Sequence, residues 1–218
     1  MALLTQSGRT ALAVSLKAQP LHLAWGTGDS AWESTFTQAF TFQDEQIQLP
    51  HAPLKSVSLA DVSDGFDVDT QTGIITRTNP TLPDQVTVTY TVAAPAESIQ
   101  ASTLLHEVGR KAVDEVTFCV GDENGLLVTP TGRFTATDTP TNQLYVHATF
   151  DFEDAANETI RELGIFIGTE VADSCPPGQR YFVPADLKDP GILLVLENTV
   201  PLIRTAATRE AFSFVITL

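Results

Sequence analysis

Apolar residues recur with two different periods along this chain. Over residues 5–19 the apolar positions Leu4, Ala11, Leu12 and Leu16 form a helical stripe, Thr5 or Ser7 can cap the start, and Pro20 stops it. From Leu21 the period is two. Leu21-His22-Leu23-Ala24-Trp25 reads as a strand that ends in the turn Gly26-Thr27-Gly28-Asp29, followed by a loop carrying Trp32. The turn is not a phosphate loop, because it lacks a Gly-Lys-Ser/Thr end and a following helix.

Between residues 36 and 94 the chain is rich in Thr, Val and Asp, and shows no helical period. The alternation predicts strands at 36–42, 45–49, 55–59, 66–68, 74–78 and 86–92. Residues 66–78 form a hairpin around Thr70-Gln71-Thr72-Gly73, where Gly73 supplies a positive φ. Asp67, Asp69 and Gln71 mimic the start of a calcium loop, but Gly73 falls one place late and Thr78 stands where a glutamate is required. This middle segment reads as a small β-sandwich-like module closed by Ala93-Ala94-Pro95-Ala96.

The stretch from Thr159 to Gly168 organises the remainder. Strict alternation puts Ile160, Glu162, Gly164 and Phe166 on one face, and Arg161, Leu163, Ile165 and Ile167 on the other. Large apolar groups on both faces predict a strand covered on both sides. Arg161 and Glu162 then point in opposite directions, so each needs its own partner. They either anchor the structure internally or fix a contact with another subunit. Further strands are predicted at 115–120, 144–152, 181–183, 192–197 and 212–218.

A net charge of -15 with a pI near 4.4 argues against DNA or RNA as a partner. Hydrophobic residues at 43% suffice for a sizeable core. No stretch approaches the length of a membrane span, and no leader pattern opens the chain, so synthesis in the cytoplasm and no membrane contact are expected. Cys119 and Cys175 read as reduced thiols, Cys119 buried among Val116, Phe118 and Val120. His22, His51, His106 and His147 are scattered without metal spacing, and no serine elbow occurs. Neither an enzyme nor a cofactor is expected. Trp32 and Tyr181 are expected to be exposed, serving as interface anchors or packing under a local loop.

Several of these stretches fall into a known order. Leu4-Thr5-Gln6-Ser7-Gly8-Arg9, followed by Pro20 to Gly28, resembles the opening of bacteriophage tail-collar fibre proteins. His106-Glu107-Val108-Gly109-Arg110 is similar to that family's Asn-Glu-Val-x-Arg segment, and Ile160-Arg161-Glu162-Leu163-Gly164-Ile165-Phe166 to its central strand. The resemblance covers roughly residues 3–30 and 98–218. It implies an α+β fold, mainly antiparallel β with an N-terminal helix, built from 1–35 and 95–218, with 36–94 as an inserted β-module. It also implies a virion protein of the tail or baseplate, a homo-oligomer acting as an adaptor between wedge or hub and fibres. Arg110, Arg161, Glu162, Gly164, Trp32 and Tyr181 are then its structural or interface residues. A carbohydrate- or receptor-binding module at the tail tip, with the insert as binder, is the alternative; a hydrolase of cell-wall or capsule polymer is a third class.

Overall fold

The computed structural model describes residues 2–218. Helix α1 (Gln6–Lys17) starts at Thr5, whose Oγ1 accepts the Gly8 N–H at 3.2 Å. It buries only Ala13 and leans Leu16 on the core, while Leu4, Leu12 and Val14 stay exposed. The inward stripe is therefore rotated from the one expected.

Strand β1 (Leu21–Gly26) follows the helix. The middle segment supplies β2 (Thr35–Thr41), β3 (Gln46–Gln48), β4 (Leu54–Leu59), β5 (Phe66–Asp69), β6 (Ile74–Arg77) and β7 (Gln85–Val92). Next come β8 (Glu107–Ala112), β9 (Glu115–Gly121), β10 (Leu127–Thr129), β11 (Gly132–Thr137), β12 (Gln143–Phe150) and β13 (Thr159–Ile167). The chain ends with β14 (Glu170–Val171), β15 (Tyr181–Phe182), β16 (Leu187–Asp189), β17 (Ile192–Ile203) and β18 (Glu210–Thr217).

Two five-stranded antiparallel sheets, ordered β15-β8-β1-β13-β17 and β10-β11-β9-β12-β18, face each other. Leu21, Leu23 and Trp25 of β1 meet Leu144, Val146 and Phe150 of β12 across the gap. The Trp25 indole stacks on Phe150 with centroids 3.6 Å apart. Strand accounts for 49% of residues and helix for 7%, so the α+β class read from the sequence is corrected to a mainly β fold. The reason is physical: a lone 12-residue helix burying one side chain forms no layer, and the core comes from the alternation of two sheets.

A second correction concerns β13. Its register against β17 shifts between Ile160 and Glu162, and this bulge turns Ile160 inward beside Leu163 and Ile165. The strand is covered on both sides. Leu163 and Ile165 lie between the sheets, while Phe166 packs on its outer face with Ala24 and Leu104.

In the middle segment, sheets β2-β7-β4 and β3-β6-β5 enclose a separate core that includes Ile47, Leu54, Ile75, Val88 and Tyr90. Its two chain ends lie side by side, the Glu33 N–H donating to Val92 O at 2.9 Å and the Val92 N–H to Ser34 O at 3.1 Å. Excising residues 35–91, with two glycines in their place and Trp32→Ser to avoid a bare indole, should leave a folded sandwich. Cooperative thermal unfolding of the soluble product checks this; an insoluble product contradicts it.

Candidate functional site

Glu162 gathers backbone donors from segments distant in sequence. It is 3% exposed, on the outer face of its sheet. Its Oε2 accepts the Gly28 N–H at 3.1 Å and the His106 N–H at 3.2 Å, and the Leu105 N–H reaches both oxygens at 2.9 and 3.1 Å. Gly28 leads into the middle module and Leu105-His106 lies on the segment returning from it. One carboxylate thus ties the outgoing and returning chain together. The Thr27 N–H donates to His106 O at 2.9 Å, and His106 Nδ1–H donates to Gly28 O at the same distance.

Arg161 and Trp32 meet at the same turn. Gly28 has φ +56, and a Cβ there would lie 2.5 Å from the Trp32 ring and 3.2 Å from Arg161 Cβ. Only glycine meets both demands. Arg161 Nη1 donates to Thr27 O at 3.3 Å, whereas its buried Nε has no partner among the described residues. Trp32 is 8% exposed and belongs to the core of the middle module, which corrects the exposure expected from its loop position. The residues that cover it come from strands up to sixty residues away in sequence.

Arg110 lies on the same outer face and is fully buried. Its Nε and Nη2 fork onto Glu107 at 2.7 Å each, and Nη1 donates to Thr169 Oγ1 at 2.7 Å and to Pro190 O. The guanidinium lies 3.9 Å from the Phe166 ring centroid. Tyr181 sits on the inner face, half-buried, where its hydroxyl accepts the Trp25 Nε1–H at 3.3 Å. Burial pushes its phenol up to about 12. Trp32, Arg161 and Glu162 therefore form one cluster, Arg110 a neighbouring one, and Tyr181 stands apart across the sheet.

Gly164 serves packing. A Cβ there would come within 2.9 Å of both Leu104 and Leu193 and 3.2 Å of Phe166. Gly164→Leu should cost roughly 1–3 kcal/mol by overpacking this layer. An unchanged melting temperature would count against the placement.

His22 borders the Arg110 cluster, 7% exposed, with Nδ1 unpartnered among the described residues. Burial first, and the Arg110 charge second, lower its pKa from 6.5 to about 4. Between those values the unfolded chain binds more protons than the folded one, so stability falls as pH drops through that window. The drop in melting temperature from pH 7 to pH 4.5 should be smaller in His22→Gln than in the native chain; equal drops would contradict it.

Two buried cations escaped the sequence reading. Lys111 is 3% exposed and donates to Thr149 O at 2.6 Å and Asp151 Oδ2 at 2.8 Å. Arg204, 1% exposed, donates to Asp151 O at 2.7 Å and Asp154 O at 3.2 Å, and lies over Trp25. The signal for Lys111 was available: adjacent Arg110 and Lys111 in a strand point to opposite faces, the same logic that flagged Arg161 and Glu162. Asp69, weighed as a calcium ligand, instead caps its own turn by accepting the Gln71 and Thr72 N–H groups at 2.9 and 3.3 Å.

These clusters spend their charges on backbone and on each other, as internal ties between segments distant in sequence. Comparison with curated proteins finds no match. A family model described as "Baseplate wedge 3 tail fiber network component" matches residues 1–79 and 84–218. The matched span runs through the middle β-module as well as the sandwich, and it bears out the resemblance to phage tail proteins at the level of the baseplate and its fibre network. This chain belongs to the family of baseplate wedge 3 tail fiber network components, structural proteins of the bacteriophage tail.

Proposed function

We propose that the chain is an adaptor that joins the baseplate wedge to tail fibres through subunit contacts, without chemistry of its own. It is made in the host cytoplasm and works as one of several copies in the virion. The observation that carries this reading is where the apolar surface lies. Leu3, Ile99 and Leu126 are 85, 103 and 93% exposed at separate places, and Ile192, Val200 and Ile203 are 71, 72 and 73% exposed along one strand. The apolar groups gathered along that strand, on an otherwise acidic chain, support a contact surface there. The buried charges, by contrast, are consumed inside the fold.

Mass spectrometry of purified virions, paired with particles from a phage lacking this chain, tests the reading. The expected result is the chain in native virions, and tails without fibres when it is missing. Its absence from native virions, or fully fibred tails without it, would remove the adaptor. A second reading rests on a polar hollow of about 560 Å³ in the middle module, bounded by Phe40, Gln43, Asp44, Gln46 and Gln48. Such a lining suits a glycan, and a glycan array without binding would remove it.

A further inference from the structure

Along one side of the sandwich the seam between the sheets holds cavities, bordered in part by the turn Thr129-Pro130-Thr131. β17, with 12 residues the longest strand, is the margin of one sheet, and β18 is a margin of the other. Cavities of about 260 and 510 Å³ lie along this side, bordered by both strands: Val195 and Glu197 from β17, Phe214 and Ile216 from β18. Val195 and Phe214 are only half-buried, although both pack against the main core.

Among the described residues, the outer edge of β17 pairs with no strand; segment 95–97 meets it only at Asn198, and a hollow separates residues 97–101 from Leu193 to Leu196. Asn198 shows its direction, because its N–H donates away from β13 to Glu97 Oε1 at 3.0 Å, and its side-chain amide donates to Pro95 O at 2.8 Å. Alternation within the regular stretch from Val195 to Asn198 gives the Leu196 N–H the same direction, and it has no backbone partner outside β13 among the described residues. A margin strand that no other strand pairs is a template for an added one.

Charge selects the occupant. Glu197 pairs across the strands with Leu163, so its side chain enters the seam between the sheets rather than solvent. Burial, and then the charge of Glu97, hold its carboxyl above the usual range. Neither glutamate has an ion-pair partner among the described residues. A second copy pairing antiparallel about the middle of β17 would bring two Glu197 carboxylates together, on a chain already at -15. An inward-pointing charge on a margin strand excludes self-pairing in this way.

We infer that β17 accepts an added strand from a different tail protein. That segment is extended, apolar at alternate positions, and carries a lysine or arginine that meets Glu197 and Glu97. Main-chain bonds along β17 supply affinity and the seam supplies specificity. This rests on the adaptor reading and names the chemistry of its partner.

The test is selection of a random dodecapeptide library against the full-length chain. Enriched peptides should alternate apolar positions around a basic residue and bind with micromolar affinity. Leu196→Pro, which removes an outward N–H, should weaken them roughly tenfold or more. Glu197→Lys should switch enrichment from basic to acidic peptides, and Glu197→Gln should weaken basic ones without lowering the melting temperature. No enrichment, binding indifferent to Leu196→Pro in a folded protein, or a charge preference unmoved by Glu197→Lys would each overturn the inference. So would a dimer of the native chain that Leu196→Pro dissociates, since that would make the second copy the occupant. Virions that contain the chain together with a failed selection would sink the strand addition alone. Selected strand-like peptides together with virions lacking the chain would sink the adaptor instead.

Discussion

Glu162→Ala should lose about 3–5 kcal/mol of stability, the cost of leaving buried backbone donors without their acceptor. Three backbone N–H groups, those of Gly28, Leu105 and His106, lose their acceptor at once. Each buried orphan costs about 1–3 kcal/mol on its own, and partial relaxation toward water keeps the total below the simple sum. For a chain of this size that corresponds to a fall in melting temperature of roughly 10 °C. Glu162→Gln keeps one acceptor oxygen but turns an NH₂ toward the same donors, so it should recover only part of the loss. Amide hydrogen exchange gives the local readout. The N–H groups of Gly28, Leu105 and His106 should lose protection well before those of β12, because the tie joining the outgoing and returning chain is the part removed. Unchanged exchange at those three amides would refute the role assigned to the carboxylate.

Arg110→Ala should be the second large loss. It strands the Glu107 carboxylate, whose side chain is 15% exposed, and leaves Thr169 Oγ1 and Pro190 O without their donor. Breaking a buried pair from one side costs about 3–5 kcal/mol, whereas replacing both members with uncharged groups of similar volume is far cheaper. Arg110→Met with Glu107→Gln should therefore be markedly more stable than Arg110→Ala, with the methionine keeping contact on the Phe166 ring. Denaturant unfolding of the two proteins decides it. A double variant no better than Arg110→Ala would show that the guanidinium's own bonds, and not relief of a stranded carboxylate, set the cost.

Local features were legible in the sequence where neighbours alone decide them. Thr5 caps α1, the hairpin of β5 and β6 turns at Gly73 with φ +73, and β12 alternates Leu144, Val146, Ala148 and Phe150 inward. Features decided by distant chain were not. Trp32 looks exposed in its loop because its cover arrives from strands of the middle module. Ile160 breaks alternation through a bulge set by β17, which no pattern within β13 encodes. The class was misread because the opening helix has a clear period, while its slight burial depends on how β12 and its neighbours pack beneath it. The central cluster was half visible. Arg161 and Glu162 stand out as charges in an apolar run, but the amides that Glu162 holds lie 56 to 134 residues away. Glu197 showed no signal, since a glutamate in a strand reads as outward until the partner register is known.

A reconstruction of the intact baseplate by electron cryomicroscopy separates an adaptor from a component with one kind of neighbour. Density for this chain is expected at the joint between wedge and fibre, touching both, with a foreign strand alongside residues 192–203. A chain bound to only one class of neighbour, with that margin facing solvent, would contradict it.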